Sequence, residues 1–126
     1  DIAPTSLGLC GLPVPDWMEG SDLSWTRDLD RKAEPRTQSL YLQSILPTHH
    51  FDSVDKPWRS VITDDGYKYV AFPGTDWMLF NLHNDPYEQM NLAHNPVYRE
   101  HRTQMREILH QWILKTQDDF RPPYDA

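Results

Sequence analysis

The sequence predicts an α+β fold, in which an antiparallel sheet of about four strands packs against one long C-terminal helix. Between residues 38 and 82, β-rich segments follow one another with connections too short for parallel crossovers. Beyond Asn95, apolar residues recur at helical spacing and form one stripe: Tyr98, Met105, Ile108, Leu109, Trp112 and Ile113. Neither element is stable with its apolar face in water, so the helix is expected to lie across one face of the sheet.

The chain begins with a segment, DIAPTSLGLCG, that predicts a short helix. Asp1 can cap it, Pro4 fits only its first turn, and Gly11 is a typical residue just beyond a helix end. Its bulk is nearly all apolar and comes from Ile2, Leu7, Leu9 and Cys10. The helix and its cysteine, which is the only one in the chain, are therefore predicted to be buried.

Residues 12–35 are rich in proline, glycine and charge, and they are interpreted as a connector that leads to the sheet. The segment QSLYLQSIL then predicts the first strand. The next segment, THHFDSVDKP, is a loop of about ten residues, which is long for a connection between neighbouring strands.

The rest of the sheet is predicted as a meander. The segments WRSVIT and YKYVAF flank Asp64-Asp65-Gly66, a strong hairpin signal, and DWMLFNL supplies a further strand. These two aspartates, and Asp85 before Pro86, are interpreted as turn residues, because aspartate bonds its own backbone in turns. The final helix is predicted to begin at Asn95-Pro96, where asparagine caps well and proline suits the first position. Its end is expected between residues 118 and 120.

The composition excludes several classes of partner. The 126 residues include 19 Asp and Glu against 12 Lys and Arg, which gives a net charge of −7. This balance argues against a nucleic-acid backbone and against an anionic membrane surface, because both select basic faces. No apolar run approaches the ~20 residues of a membrane-spanning helix. Neither nucleic acid nor membrane is therefore expected as a partner.

The residues by themselves do not assemble a complete active site. His83, Asp85 and His94 flank one turn and could hold a metal, but surface histidines are the simpler interpretation. His49 and His50 are adjacent, so in an extended segment they point to opposite sides. No phosphate-binding loop, dinucleotide fingerprint or nucleophile elbow occurs. No catalytic residue and no metal ligand is therefore assigned, and the chain is interpreted as the C-terminal part of something larger.

Three stretches resemble, in the correct order, the sulfatase family. DIAPTSLGLCGLPVP, followed by GSDLS, is similar to a segment in which Asp and then Pro-Thr open a helix. WRSVITDDGYKYV is similar to the family's Arg-x-aliphatic-Arg-Thr hairpin with its Tyr-Lys-Tyr strand. The family's pattern Glu-Leu-Tyr-Asp-Leu, Asp-Pro-x-Glu, Asn-Leu-Ala is matched in order and spacing by Leu79, Phe80, Leu82, Asp85, Pro86, Glu88, Asn91, Leu92 and Ala93.

The resemblance implies an enzyme of the alkaline-phosphatase superfamily whose catalytic residues lie upstream of this chain. Sulfatases use a formylglycine, made from Cys or Ser in a C/S-x-P-x-R motif, beside a calcium-type cation held by Asp and Asn. Cys10 does not fit, since Pro13 comes one place too late and no Arg follows. No cofactor is expected in this chain, although the parent protein would need both. Asn81 replaces the family's usual Asp, and Asp22 its usual Ser.

The implied division assigns residues 1–34 to the end of the large catalytic α/β domain and its connector, and residues 35–126 to the C-terminal subdomain. The chain would then be part of a sulfatase that hydrolyses sulfate esters, cut at or near residue 1 and inactive alone. Its N-terminal helix is expected to pack against the upstream large domain or against another copy. The family works mostly in the periplasm, in lysosomes or outside the cell, which is the expectation for the parent protein.

The substrate class that the resemblance implies is a sulfated small molecule or sugar. His49, His50 and Arg59, in and beside the long loop, are predicted to bind it. Arginine can bind a sulfate through two parallel hydrogen bonds, and histidine donates bonds that strengthen on protonation. The alternative is a structural role for Arg59 and solvated histidines.

Two other functions remain open. The chain could be a free-standing binding or interaction module, which would be soluble and monomeric without any upstream part. It could also belong to a phosphate-ester hydrolase of the same superfamily, which an upstream nucleophile would decide.

Overall fold

The computed structural model describes residues 1–27, 38–45 and 54–123. The chain divides into two compact units, Asp1–Arg36 and Thr37–Ala126. In the described ranges, no helix combines the length and the apolar character needed to cross a membrane.

The N-terminal unit contains the predicted short helix, α1, at Ile2–Leu9. Gly11 ends it with a φ of +70°, a conformation that glycine adopts without steric cost. The amide of Leu12 donates to the carbonyl of Leu7 at 2.9 Å, and that of Gly11 donates to Gly8 at 3.0 Å. This pair of bonds is a Schellman motif, so the predicted stop at Gly11 is confirmed.

Polar bonds attach the following segment to α1. The carboxylate of Asp1 accepts the amide of Ser21 at 2.7 Å instead of capping its own helix. The hydroxyl of Thr5 accepts the amide of Leu23 at 3.0 Å, just before a 3₁₀ turn at Ser24–Arg27. These contacts hold the two stretches together, and Pro4 is the one residue of α1 that is buried.

Within this chain α1 is largely exposed, so its predicted burial would need a partner outside these residues. Pro4 is its only buried residue, while the side chain of Ile2 is 86% exposed and Leu9 is also exposed. Cys10, predicted as a core residue, is exposed as well. The segment that follows α1 is bonded to it by polar contacts, in which backbone amides of that segment donate to the carboxylate of Asp1 and to the hydroxyl of Thr5.

The C-terminal unit contains one antiparallel sheet. Its strands are β1 at Ser39–Ser44, β2 at Trp58–Thr63, β3 at Tyr67–Phe72 and β4 at Thr75–Asn81. The spatial order is β1-β2-β3-β4, so every neighbour in sequence is a neighbour in the sheet and the predicted meander is confirmed. A β-bulge interrupts the pairing of β3 with β4 at Val70/Ala71.

The hairpin between β2 and β3 turns where the sequence predicts. Gly66 has a φ of +83°, and its amide donates to the carbonyl of Thr63 at 3.0 Å. The carbonyl of Gly66 accepts the amide of Leu82 at 2.8 Å, which fastens the end of β4 to the turn.

The last element begins at the predicted cap. The side chain of Asn95 accepts the amide of Val97 at 3.0 Å, and Pro96–Tyr98 form one 3₁₀ turn. The helix α2 then runs over Arg99–Thr116 and ends at Gln117, which has a left-handed φ of 54°. The helix therefore ends slightly before the predicted residues 118–120.

The core of this unit lies between α2 and one face of the sheet. The buried side chains of α2 are Met105, Leu109 and Ile113, all from the predicted stripe. They pack in one cluster with Val61, Tyr69, Ala71 and Leu79 from the three C-terminal strands. Each fully buried apolar side chain of this size contributes about 1.5–3 kcal/mol to stability, so this cluster holds helix and sheet together.

Candidate functional site

The antiparallel order gathers the connecting segments at two ends of the sheet. The turn end consists of residues 64–66 and 82–98, and the loop end consists of residues 44–45, 54–59, 72–75 and 116–121. The family-like acidic pattern lies at the turn end, and the predicted substrate-binding Arg59 lies at the loop end.

Asp85 organises the first turn beyond β4. One oxygen of its carboxylate accepts the amide of Gln89 at 3.0 Å, and the other accepts the amide of Met90 at 2.7 Å. These backbone bonds lower the pKa of the Asp85 carboxyl, because they favour its charged form. The interpretation of this aspartate as a turn residue is confirmed.

Asn91 fastens the same segment to the sheet. Its side-chain oxygen accepts the amides of Leu79 at 3.1 Å and Ala93 at 3.0 Å. Its side-chain nitrogen donates to the carbonyl of Trp77 at 2.9 Å. One carboxamide therefore satisfies two backbone groups of β4 and one of the segment that follows Asn91. These bonds explain why an asparagine lies here without any role in binding a ligand.

Glu88 forms an ion pair with the sheet instead of bonding backbone amides. Its φ of +55° is uncommon for a residue with a side chain. Both oxygens of its carboxylate contact the Nζ of Lys68 on β3, at 2.9 and 2.8 Å. The acidic pattern at the turn end is thus a set of local structural contacts.

The loop end is organised by a buried ion pair between Arg59 and Asp118. The Nε of Arg59 donates to Oδ2 at 2.5 Å and Nη2 donates to Oδ1 at 2.8 Å, and the two side chains are only 4% and 8% exposed. The Nη1 of Arg59 donates to the carbonyls of Ser44 and Trp58, at 3.0 and 3.1 Å. The guanidinium therefore joins the end of β1 to the start of β2 and to the segment beyond α2.

Tyr41 completes this group by donating its hydroxyl to Asp118 at 2.7 Å. Hydrogen bonds from Arg59 hold the pKa of the Asp118 carboxyl well below its usual range, although burial opposes them. Burial, followed by the bond to Asp118, raises the pKa of Tyr41 to about 12. At neutral pH the group is thus a carboxylate, a guanidinium and a neutral phenol.

The predicted substrate-binding residues have different positions. Arg59 lies at the loop end, where Asp118 already occupies both parallel bonds that a sulfate would use. Its binding of substrate stays a prediction, and it would require displacement of Asp118. His49 and His50 lie outside the described residues.

A second buried charge group was not found by the sequence reasoning. Asp76 on β4 accepts hydrogen bonds from Arg106 on α2, with Nε at 2.8 Å, and from the hydroxyl of Tyr69 at 2.5 Å. Arg102 lies 3.5 Å from the same carboxylate and donates to the carbonyl of Ala93. Only the spacing of Arg102 and Arg106, one helical turn apart, hinted at a shared partner.

The alternative metal site does not assemble in the described part of the chain. There, no three side chains among His, Cys, Asp and Glu lie close enough together to hold an ion. The imidazole of His83 instead lies against Gly66, in the space that a side chain at that position would need. His101 packs between the rings of Tyr67 and Tyr98, at 4.8 and 5.9 Å.

A known protein family matches most of the chain. Residues 1–115 match the family described as N-sulphoglucosamine sulphohydrolase, C-terminal. The chain belongs to this family. The resemblance of its motifs to those of sulfatases is thereby confirmed, and the chain is a sulfatase C-terminal region.

Two curated relatives of this sulfatase C-terminal region are sulfatases. It is 27% identical over 121 residues to an ulvan-active sulfatase of Formosa agariphila, and 28% identical over 124 residues to a Delta 4,5-hexuronate-2-O-sulfatase of Bacteroides thetaiotaomicron. Each match covers 96% of this chain, but 23% and 24% of the relative. The chain thus spans about a quarter of the length of the curated relatives it matches.

The fold agrees with that of a solved sulfatase. The structure of BT1596, described as a 2-O GAG sulfatase, superposes with a TM-score of 0.81 at 26% sequence identity. The match covers 99% of this chain and 27% of that one. Both units of the sulfatase C-terminal region therefore have counterparts within a larger enzyme.

Proposed function

We propose that this chain supports the catalytic domain of a sulfatase that hydrolyses sulfate esters of saccharides, and that it shapes the substrate pocket. The family match supports the reaction class. The substrate class is supported by the relatives, which are described as ulvan-active, as acting on hexuronate 2-O-sulfate and as a 2-O GAG sulfatase. The nucleophile, as formylglycine, and the calcium-type cation would come from the rest of such a protein.

The observation that carries the supporting role is the exposed apolar surface of the N-terminal unit. Trp17 is 79% exposed and Ile2 is 86% exposed, and Leu9 and Leu12 are also exposed. Large apolar side chains exposed together in one small unit are typical of an interface. The occupant that we propose is the large α/β domain, since the relatives are about four times as long as this chain.

The experiment separates the chain from the rest of its full-length protein and recombines the two parts with calcium present. The chain alone is expected to leave a chromogenic aryl sulfate intact, and the recombined protein is expected to hydrolyse it. Ile2→Asp and Trp17→Asp should weaken recombination at least about tenfold, because each places a charge in an apolar contact.

Leu114→Asp is the matched control. Leu114 is also exposed and apolar, but it lies on α2 in the other unit. Turnover that scales with the concentration of the chain alone would contradict the proposal, and so would equal effects of all three variants. Hydrolysis of an aryl phosphate but not of an aryl sulfate would favour the phosphate-ester alternative.

The pocket-shaping role is proposed for Arg59, at the loop end, and for His49 and His50, which lie outside the described residues. In the full-length protein, His49→Ala and His50→Ala should raise the KM for the sulfated saccharide and leave the KM for a small aryl sulfate unchanged. A hydrogen bond to a charged group contributes about 1–3 kcal/mol, which corresponds to roughly 5- to 150-fold in KM. Arg59→Ala is a poorer test because it also breaks the buried pair with Asp118. Equal kinetics on both substrates would show that the loop does not contact the substrate.

A further inference from the structure

We propose that a depression at the turn end binds a single neutral sugar ring. The depression has a volume of about 290 Å³ and is open to solvent. This is close to the lower limit of ~300 Å³ for ligand pockets in proteins, so a ligand of one ring fits it. The residues that decide its chemistry are Asn81, Asn84, Asp85, Gln89, Met90 and Tyr98.

The polar side chains of the depression are mostly carboxamides with unused bonding capacity. Asn81 accepts the amides of His83 and Asn84 through its oxygen, at 3.1 and 3.2 Å, and its nitrogen has no acceptor among the described residues. The side chains of Asn84 and Gln89 are exposed and make no hydrogen bond within that part of the chain. A carboxamide both donates and accepts, which matches a hydroxyl group that does the same.

The charge of the depression selects against anions. Asp85 is its only charged lining residue in the described chain, and no Lys or Arg lines it. The lowered pKa of Asp85 keeps that carboxylate ionised, so a sulfate or phosphate would meet repulsion without compensation. Each carboxylate oxygen already accepts a backbone amide, which leaves lone pairs suited to hydroxyl donors.

The remaining wall of the depression is apolar. Met90 is 65% exposed, Leu92 is buried, and Tyr98 is half-buried. A sugar ring has an apolar face of C–H groups and an edge of hydroxyl groups, so it complements a site with one apolar wall and one wall of carboxamides. An exposed methionine adapts its shape easily to such a surface.

Asn81 makes this chain suited to a neutral ligand. It stands where the sulfatase pattern usually has Asp. An aspartate at this position would place a second carboxylate in the depression and remove the two N–H donors of the carboxamide. The proposal therefore concerns a neutral, unsulfated residue, and it stands whether or not the proposed sulfatase activity is found.

The test is an NMR titration of the ¹⁵N-labelled chain with methyl glycosides of glucose, galactose, mannose and xylose, and with methyl galactoside 6-sulfate. At least one neutral glycoside should shift the side-chain amides of Asn84 and Gln89 with a dissociation constant on the order of 1–10 mM, as expected for about a dozen non-hydrogen atoms. The 6-sulfate should bind at least fivefold more weakly than its neutral parent. The absence of shifts up to about 50 mM in all four glycosides, or equal binding of the sulfate, would overturn the proposal.

Variants locate the binding. Asn84→Ala and Gln89→Ala should each weaken it at least threefold, because each removes a donor and an acceptor from the lining. Gln104→Ala is the matched control, since it removes an exposed carboxamide of α2 that does not line the depression. Spectra unchanged away from the turn end show that each variant is folded. An equal loss in all three variants would place the sugar elsewhere and contradict the assignment.

Discussion

The two ends of the sheet are stabilised over very different distances in the sequence. At the turn end, Asp85 bonds the backbone four and five residues away, and Asn91 bonds it at most fourteen residues away. At the loop end, Asp118 bonds Arg59 across 59 residues and Tyr41 across 77. The turn end can therefore form as soon as its own segment folds, whereas the loop end requires the whole C-terminal unit.

The two ends of the sheet also differ in how deeply their charged groups are buried. The ion pair of Arg59 and Asp118 is almost fully buried, so its charges are not screened by water. Asp85 is only half-buried, and its bonds go to backbone amides that water could also satisfy. We therefore expect changes at the loop end to cost more stability than equivalent changes at the turn end.

The largest effect is expected for Asp118→Ala. This variant leaves the buried guanidinium of Arg59 unpaired and should lower the free energy of unfolding by about 3–5 kcal/mol. Urea denaturation of the chain measures the loss. Asp119→Ala is the matched control, because Asp119 is exposed and adjacent, and it should change stability by less than about 0.5 kcal/mol. Equal stabilities of the two variants would remove the contrast between the ends.

A smaller loss of the same interaction is expected in acid. The pKa of Asp118 is lowered in the folded protein, so its contribution is present above the unfolded value of about 3.9 and is lost as the pH falls below it. Denaturation midpoints between about pH 5 and pH 2 should decrease less steeply in Asp118→Asn than in the wild type.

Some acid dependence should persist in that variant. Burial raises the pKa of Asp76, but hydrogen bonds from Arg106 and Tyr69 outweigh it, and the pKa of this carboxyl is also lowered. A pH dependence identical in Asp118→Asn and wild type would mean that the loop-end pair contributes nothing through its charge.

The same contrast explains how far the sequence could be interpreted. The strands WRSVIT and YKYVAF have the predicted bounds, because their alternation and the glycine of the hairpin are local signals. The turn role of Asp85 was also predicted, since an aspartate before a proline bonds nearby amides. Contacts between neighbours in sequence leave a pattern that a reader of the sequence can find.

The pairs at long range left no such pattern. No residue near Asp118 in the sequence indicates that Asp118 pairs with Arg59, which was predicted to bind substrate. Likewise, no residue near Asp76 indicates that it accepts a hydrogen bond from Tyr69. The partner of α1 could not be identified for a related reason. An apolar segment shows that burial is favourable, but the sequence does not show whether the burying partner lies within the chain.

At the turn end, Asn91→Ala should have the largest effect. The substitution leaves the amide of Leu79 and the carbonyl of Trp77 without their side-chain partners, which should cost about 1–2 kcal/mol. Asn84→Ala, which removes a carboxamide without a hydrogen bond in the described chain, should cost less than about 0.5 kcal/mol. A loss at Asn91 as large as that at Asp118 would show that short sequence distance does not imply a weaker contribution.

The smallest effect is expected for the ion pair of Lys68 and Glu88. Their side chains are 25% and 35% exposed, so water screens the attraction and the coupling energy should be about 0.2–1 kcal/mol. A double-mutant cycle with Lys68→Ala and Glu88→Ala isolates it. The coupling should fall further in 1 M NaCl, where the Debye length is about 3 Å. Glu88→Gly should be more stable than Glu88→Ala by up to about 1 kcal/mol, since glycine adopts the φ of +55° without steric cost. A coupling above about 2 kcal/mol, insensitive to salt, would show that the turn end also depends on desolvated charge, and the two ends would then differ only in sequence distance.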